Sequence, residues 1–346
     1  MDRRKFLTGA AAIAGLTATG IGEGQGPVGQ PAAGGGQAGG RGARGRGSPA
    51  NVSAQKLARI AIMSLNHSSI IKLPWQEATP ERTLDIFDLP KYYVEVYGVR
   101  NVEFQSNHVA QNNDAPDLAY VKDLRARLDA AGSKANQINI EIGTMAQMGP
   151  EGKAAALAGD ARAAWLARAK KWVDLAPVLG VTRLMHNQGA LTDDSKAGVI
   201  SLWKELQDYA RPKKVMISGE TRGSGFPTGG NRGQGPPPPP PPLSNQERLR
   251  YVWGILWECT QAAGGYTNLD FGGETRFHNQ QELHDAIKGL LPRSAGSMHT
   301  RISPTWDVGI AIRYAESIGY KGLYTIEVSQ DAAVRVIYNA ILANLA

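Results

Sequence analysis

Cysteine is almost missing from the chain: of 346 residues only Cys259 is one. No disulfide framework and no thiolate zinc site can be built within one copy. The glycine pattern G-x-G-x-x-G does not follow the first apolar strand candidate, which argues against a dinucleotide-binding open sheet. Beyond the first twenty-one residues no run of eighteen apolar residues occurs, so no membrane span is expected in the mature protein. An excess of basic charge confined to one surface is lacking too. The formal net charge is +7. Residues 1–50 hold Arg3, Arg4, Lys5, Arg41, Arg44 and Arg46 against Asp2 and Glu23, so they carry +4 of it and the remainder +3. That remainder is ordinary for a globular chain and gives no reason to expect a nucleic-acid partner.

What is present divides the chain in three. The opening MDRRKFLTGAAAIAGL resembles a twin-arginine export signal, with Arg3 and Arg4, then Phe6 and Leu7, then a short apolar run. The run is too short for a membrane span and has the length of a signal core. No clean A-x-A marks a cleavage point. We read residues 1–21 as a signal peptide, which makes the expected location exported and periplasmic. Residues 22–50 are a Gly/Ala/Arg tract without apolar periodicity, expected to be a disordered linker. Residues 51–346 remain for a folded domain.

In that domain short apolar strands alternate with amphipathic helices. The strand candidates are 57–64, 99–105, 135–143, 181–187, 214–220, 266–271, 296–302 and 322–328. The helix at 116–132 places Leu118, Val121, Leu124 and Leu128 on one face. The helix at 160–180 is expected to be capped by Asp160, and the one at 244–265 opens with Ser244 and Glu247 at capping-box spacing. Eight β-α units predict a single-domain α/β fold, a closed (β/α)8 TIM barrel. Residues 221–243 interrupt the rhythm after the fifth strand with glycines and seven consecutive prolines. This segment is expected to be an exposed insertion, its proline run in polyproline II.

Alternate residues of a barrel strand point inward. In the last strand, GYKGLYTIEV, Tyr324, Ile326 and Val328 share one face, and Thr325 shares the other with Glu327. Glu327 is therefore expected to point into the barrel at its C-terminal end, where active sites of this fold sit. Glu220 ends the inward face of the fifth strand, Asp270 that of the sixth, and His299 lies on the seventh beside Arg301. Asp270 and His299 are 29 residues apart, and His299 and Glu327 28, close to one β-α unit each. Three carboxylates at one rim would repel and resist ionisation without a counterion. One divalent cation removes that cost. Three oxygens and an imidazole suit Mn²⁺, Mg²⁺ or Co²⁺, and also accommodate Zn²⁺. The plain structural alternative for each residue alone is a polar layer in the barrel core.

Taken in order, ISGETRG, NLDFGG, SMHTRI and GYKGLYTIEV resemble the last four strands of the sugar phosphate isomerase/epimerase superfamily, the xylose isomerase-like TIM barrels. The resemblance covers roughly residues 57–345. It implies that Glu220, Asp270, His299 and Glu327 bind the metal. It also implies that Glu220 and Glu327 are catalytic, exchanging a proton with a carbon next to a carbonyl through an enediolate. The expected activity is a metal-dependent isomerase, epimerase or lyase acting on a non-phosphorylated sugar or keto-glycoside. The partner is then a small-molecule carbohydrate, and assembly into a homo-oligomer is compatible with this reading. Two departures bear on the reaction subtype. Gly273 stands where ketose epimerases of the family carry a histidine, and Thr221-Arg222 where many members carry Asn-His. For substrate binding the candidates are Glu141, His186, Arg222, Arg301 and Trp75. Arg222 and Arg301 suit an anionic group, or else pair with the site's own glutamates. Glu103, His108, Asn139 and His67 are further rim candidates, with His67 and His108 equally readable as solvated loop residues. His278 and His284 read as helix-surface residues. The competing readings are an endonuclease IV-like metal phosphodiesterase, which needs more strand-end histidines than the chain offers, and a non-catalytic exported sugar-binding barrel.

Overall fold

The computed structural model describes residues 52–149, 152–220, 244, 246, 249–270, 279–302, 307–328 and 331–345. The expected signal peptide and linker, the 221–243 insertion with Arg222, and Glu247, Gly273 and His278 lie outside the described residues. The described residues belong to one unit, Arg46–Ala346.

Eight parallel strands form the sheet: β1 (Ile60–Met63), β2 (Asn101–Gln105), β3 (Lys134–Ile140), β4 (Arg183–His186), β5 (Met216–Glu220), β6 (Tyr266–Asn268), β7 (Ser297–Thr300) and β8 (Leu323–Ile326). Their order is β6-β5-β4-β3-β2-β1-β8-β7. The two end strands are drawn together by bridges at Thr267↔Ser294 and Asp270↔His299, which bring the sheet round into a TIM barrel. A helix follows each strand: α1 (Leu89–Tyr97), α2 (Leu118–Ala130), α3 (Gly159–Leu179), α4 (Asp193–Ala210), α5 (Ile255–Ala263), α6 (Gln280–Leu290), α7 (Val308–Ser317) and α8 (Asp331–Asn344). Parallel neighbours require such crossovers, which cover the outer face of the sheet with helices. No helix among the described residues is long and apolar enough to cross a membrane.

Local chemistry sets the helix ends. The carboxylate of Asp117 accepts from Ala119 N at 2.8 Å, and that of Asp307 from Gly309 N at 2.9 Å. Thr192 and Ser195 make a reciprocal capping box on α4. Two expectations need correcting. Ala158, not Asp160, precedes α3, and Asp160 sits in its first turn, where a negative charge suits the helix dipole. Leu118 is 54% exposed, while Val121, Leu124 and Leu128 are buried. Leu118 lies roughly 90° round the helix from the centre of the stripe made by the other three.

The barrel interior is polar. Gln137 donates to Glu103 Oε1 at 3.1 Å and to Asn268 Oδ1 at 3.3 Å, and the hydroxyls of Ser297 and Thr325 are 2.7 Å apart. The apolar core lies between strands and helices, with Trp172, Trp203, Tyr324 and Phe104 fully buried. Gly219, beside Glu220, is part of that packing: a Cβ there would stand 2.6 Å from the Trp203 ring. Gly219→Ala is therefore expected to cost about 1–3 kcal/mol through overpacking. A lower denaturant midpoint at unchanged slope would show it.

Candidate metal centre

Four strand ends deliver the acidic and basic groups to the C-terminal mouth of the barrel. Glu220 closes β5, and its backbone carbonyl accepts a hydrogen bond from Gln188 Nε2 at 2.6 Å. His299 lies within β7, its backbone N–H donating to Leu269 O at 2.7 Å beside Asp270. Glu327 follows β8 directly. The buried amide of Asn66 clamps the backbone on either side of it, donating to Ile326 O at 2.8 Å and accepting from Val328 N at 2.6 Å. Asn66 immobilises the turn that aims Glu327, and nothing in the strand pattern had drawn attention to it.

The imidazole of His299 is fully buried and faces carboxylates on both sides. Its Nδ1 is 2.8 Å from Glu220 Oε1 and 2.5 Å from Glu327 Oε2; its Nε2 is 2.8 Å from Glu103 Oε1. Burial alone would lower the affinity of His299 for a proton. The charges of Glu327 and Glu103 and the hydrogen bonds to Glu103 and Glu220 outweigh it and raise the group well above its ordinary 6.5. The Asp270 carboxyl is pushed up to about 6, chiefly by burial, with Glu220 and Glu327 adding to the rise and Arg301 and His299 opposing it. Arg301 spans the mouth: its Nε is 2.9 Å from Asp270 Oδ2 and its Nη2 is 2.7 Å from Glu327 Oε1.

These residues fit a divalent ion. One ligand atom each from Glu220, His299 and Glu327 lie within 4.8 Å of one another. Oxygen and nitrogen atoms about 2.0–2.3 Å from a common ion are separated by about that much or less. Glu220 Oε1 and Glu327 Oε2 both crowd the same nitrogen, His299 Nδ1, at 2.8 and 2.5 Å, which leaves two carboxylates and one imidazole nitrogen facing a common point. Four carboxylates (Glu103, Glu220, Asp270 and Glu327) gather around one guanidinium, Arg301, and one imidazole, His299, and this surplus of negative charge favours a divalent cation. Asp270 stands at the same rim, but its carboxylate is turned to Arg301 rather than grouped with the other three.

The other predicted positions scatter. Glu141, just beyond β3, is exposed and accepts from Gln105 Nε2 at 3.3 Å and Asn139 Nδ2 at 3.4 Å, on the rim near β2. Trp75 is half-buried and packs edge-on against Tyr120, ring centres 5.0 Å apart. His186 does not reach the mouth. It is fully buried, with its ring edge-on to Trp203 at 4.8 Å and Trp165 at 5.9 Å, against α4 and α3. On β4 it is Met185 that points inward, to Asn268 Nδ2 at 3.4 Å, and alternation sends His186 outward. His67 and His108 are not solvated either: His67 Nδ1 is 3.0 Å from Tyr93 Oη, and His108 Nδ1 is 2.8 Å from Ser64 Oγ. His284 stacks on Tyr314. Glu103 was legible only as a rim candidate, yet it touches His299 directly.

Burial pushes His186 down to about 4 from 6.5. The folded protein thus keeps it neutral in a window where the unfolded chain takes up a proton, and stability falls as pH drops from about 6.5 towards 4. His186→Phe keeps the edge-on packing and removes the proton site. Compared with the variant, the wild type is expected to lose up to about 1.4 kcal/mol more per pH unit across that window. Denaturant titrations at paired pH values measure the difference, and parallel stability curves would contradict it.

No protein-family model and no curated protein matches the chain. Solved structures do. A xylose isomerase-like TIM barrel protein from Mycobacterium smegmatis, in complex with magnesium, superposes with a TM-score of 0.54 at 15% identity, over 85% of this chain and 100% of that one. An L-ribulose 3-epimerase gives 0.51 at 15% identity, over 83% and 86%. An AP endonuclease of family 2 from Brucella melitensis gives 0.51 at 13%, over 81% and 96%. The chain thus has the fold of the xylose isomerase-like TIM barrels.

Proposed function

We propose that the protein is a divalent-metal-dependent isomerase or epimerase, or a lyase of the same chemistry, acting on a non-phosphorylated sugar or keto-glycoside. The convergence of Glu220, His299 and Glu327 at the barrel mouth carries this reading. The similar magnesium-bound barrel and epimerase structures support it through the fold they share with this chain. Glu220, His299 and Glu327 would hold the ion, with Asp270 beside them, and a bound ion would polarise a substrate carbonyl and make the neighbouring C–H more acidic.

The chain's own groups supply the rest. Glu220 and Glu327 approach the centre from different strands, so one carboxylate can take a proton from the carbon next to the carbonyl while the other returns it. Return on the opposite face gives epimerisation. Return at the neighbouring carbon gives isomerisation, and loss of an adjacent hydroxyl gives elimination. Arg301, about 30% exposed at its side chain, pairs with Glu327 and Asp270 and lines the approach. Glu141, with Gln105 and Asn139, offers hydrogen-bonding groups for substrate hydroxyls on the facing rim. We place the enzyme outside the cytoplasm on the strength of Arg3, Arg4, Phe6 and Leu7, where free phosphosugars are scarce.

Solvent exchange tests the reaction. Ion-loaded protein in D₂O is expected to place deuterium on the carbon next to the carbonyl of a turned-over sugar, as read by NMR. Failure to do so across ketoses, aldoses and keto-glycosides would remove the proton-transfer chemistry. Nicking of abasic DNA by the same preparation would favour a metal phosphodiesterase instead.

A further inference from the structure

From the position of Glu103 we infer that it is the positioning residue of the centre, holding the hydrogen of His299 on Nε2 so that Nδ1 is left to bind the ion. This rests on the metal-centre reading above and concerns a residue outside the ligand group. Glu103 projects from β2, on the far side of the His299 ring from Glu220 and Glu327. Its Oε1 is 2.8 Å from Nε2, whereas both glutamates of the centre face Nδ1. The imidazole stands between them, so Glu103 cannot reach an ion held on the Nδ1 side without displacing the ring.

Glu103 is itself held in place. It is fully buried, and Gln137 Nε2 donates to the same Oε1 at 3.1 Å while also reaching Asn268 Oδ1 at 3.3 Å. Its second oxygen, Oε2, has no hydrogen-bond partner among the described residues. A wholly buried carboxylate with one oxygen unpartnered is costly for folding, so stability alone does not account for it. A carboxylate that accepts from the distal N–H of a ligating histidine fixes the ring's orientation and tautomer and makes the ligating nitrogen more basic. The arrangement of Glu103, His299 and the glutamate pair has that geometry.

The experiment compares wild type, Glu103→Ala and Glu103→Gln by calorimetric titration with Zn²⁺ and by ¹⁵N–¹H spectra of the histidine rings in the Zn²⁺-loaded proteins. Loaded wild type is expected to show His299 protonated at Nε2. Glu103→Ala is expected to lose about 10–100-fold in ion affinity. Glu103→Gln keeps an acceptor at the same place without the charge. It is expected to lose less and to shift the Nε2–H resonance upfield, and it carries the test if the alanine variant does not fold. Unchanged affinity in the folded variants overturns the inference and leaves the metal centre standing; a hydrogen on Nδ1 in the loaded wild type overturns the inference and removes His299 from the ligands as well. A wild type that takes up no ion overturns the metal centre itself, and the role of Glu103 with it.

Discussion

Glu220→Gln is expected to abolish turnover while leaving the fold intact. The substitution is nearly isosteric, it relieves one of several like charges crowded at the mouth, and His299 keeps Glu103 and Glu327 as partners, so the ion-free variant is expected to fold. Catalytically it removes two functions together. The amide is a far weaker ligand for a hard cation than the carboxylate, and it cannot accept a proton from carbon. Loss of a positioned acid or base alone typically costs about 10²–10⁴-fold in rate. Glu327→Gln should fall in the same range, because the two groups flank the same centre at His299. Glu205→Gln, which removes only a half-exposed partner of Arg162 and Lys170, serves as the control and should retain full activity. Activity above a tenth of wild type in either site variant, at saturating metal, would take the glutamates out of the chemistry.

Addition of Mn²⁺ is expected to raise the melting temperature, and a chelator to reverse the rise. Only the folded chain brings β5, β7 and β8 together, so the ion binds the native state and stabilises it by mass action. At a free concentration about 100 times the dissociation constant the gain is about 2.7 kcal/mol. For a domain of this size that corresponds to a shift of about 4–5 °C. The shift should vanish in His299→Ala and Glu220→Gln. It should persist in His186→Phe, whose side chain packs against Trp203 and Trp165, away from the mouth. A shift of equal size in all three variants would mean that the ion binds elsewhere.

The barrel was legible because its signal repeats: eight apolar strands, each followed by a helix, leave few topologies. The rim residues were legible for a related reason, since a strand that buries apolar side chains on one face and ends in a charge on the other states where that charge points. Glu327 beside Ile326 and Tyr324 is the clearest instance. The same argument applied to NVEFQ puts Glu103 on one face with Gln105 and would have carried it into the barrel. Its partner, His299, is 196 residues away, and no local pattern announces that contact. His186 was harder, because RLMH mixes polar and apolar residues on both faces and alternation had no anchor. Asn66 acts through its side-chain amide on a backbone 260 residues distant, which only the closed barrel brings near.

The most direct measurement is a crystal structure of the Mn²⁺-loaded protein with the ion located by anomalous scattering. A centre built on Glu220, His299 and Glu327 requires one peak at the C-terminal mouth of the barrel, about 2.0–2.3 Å from oxygens of Glu220 and Glu327 and from Nδ1 of His299. A peak elsewhere on the molecule, or none at that mouth, would contradict it.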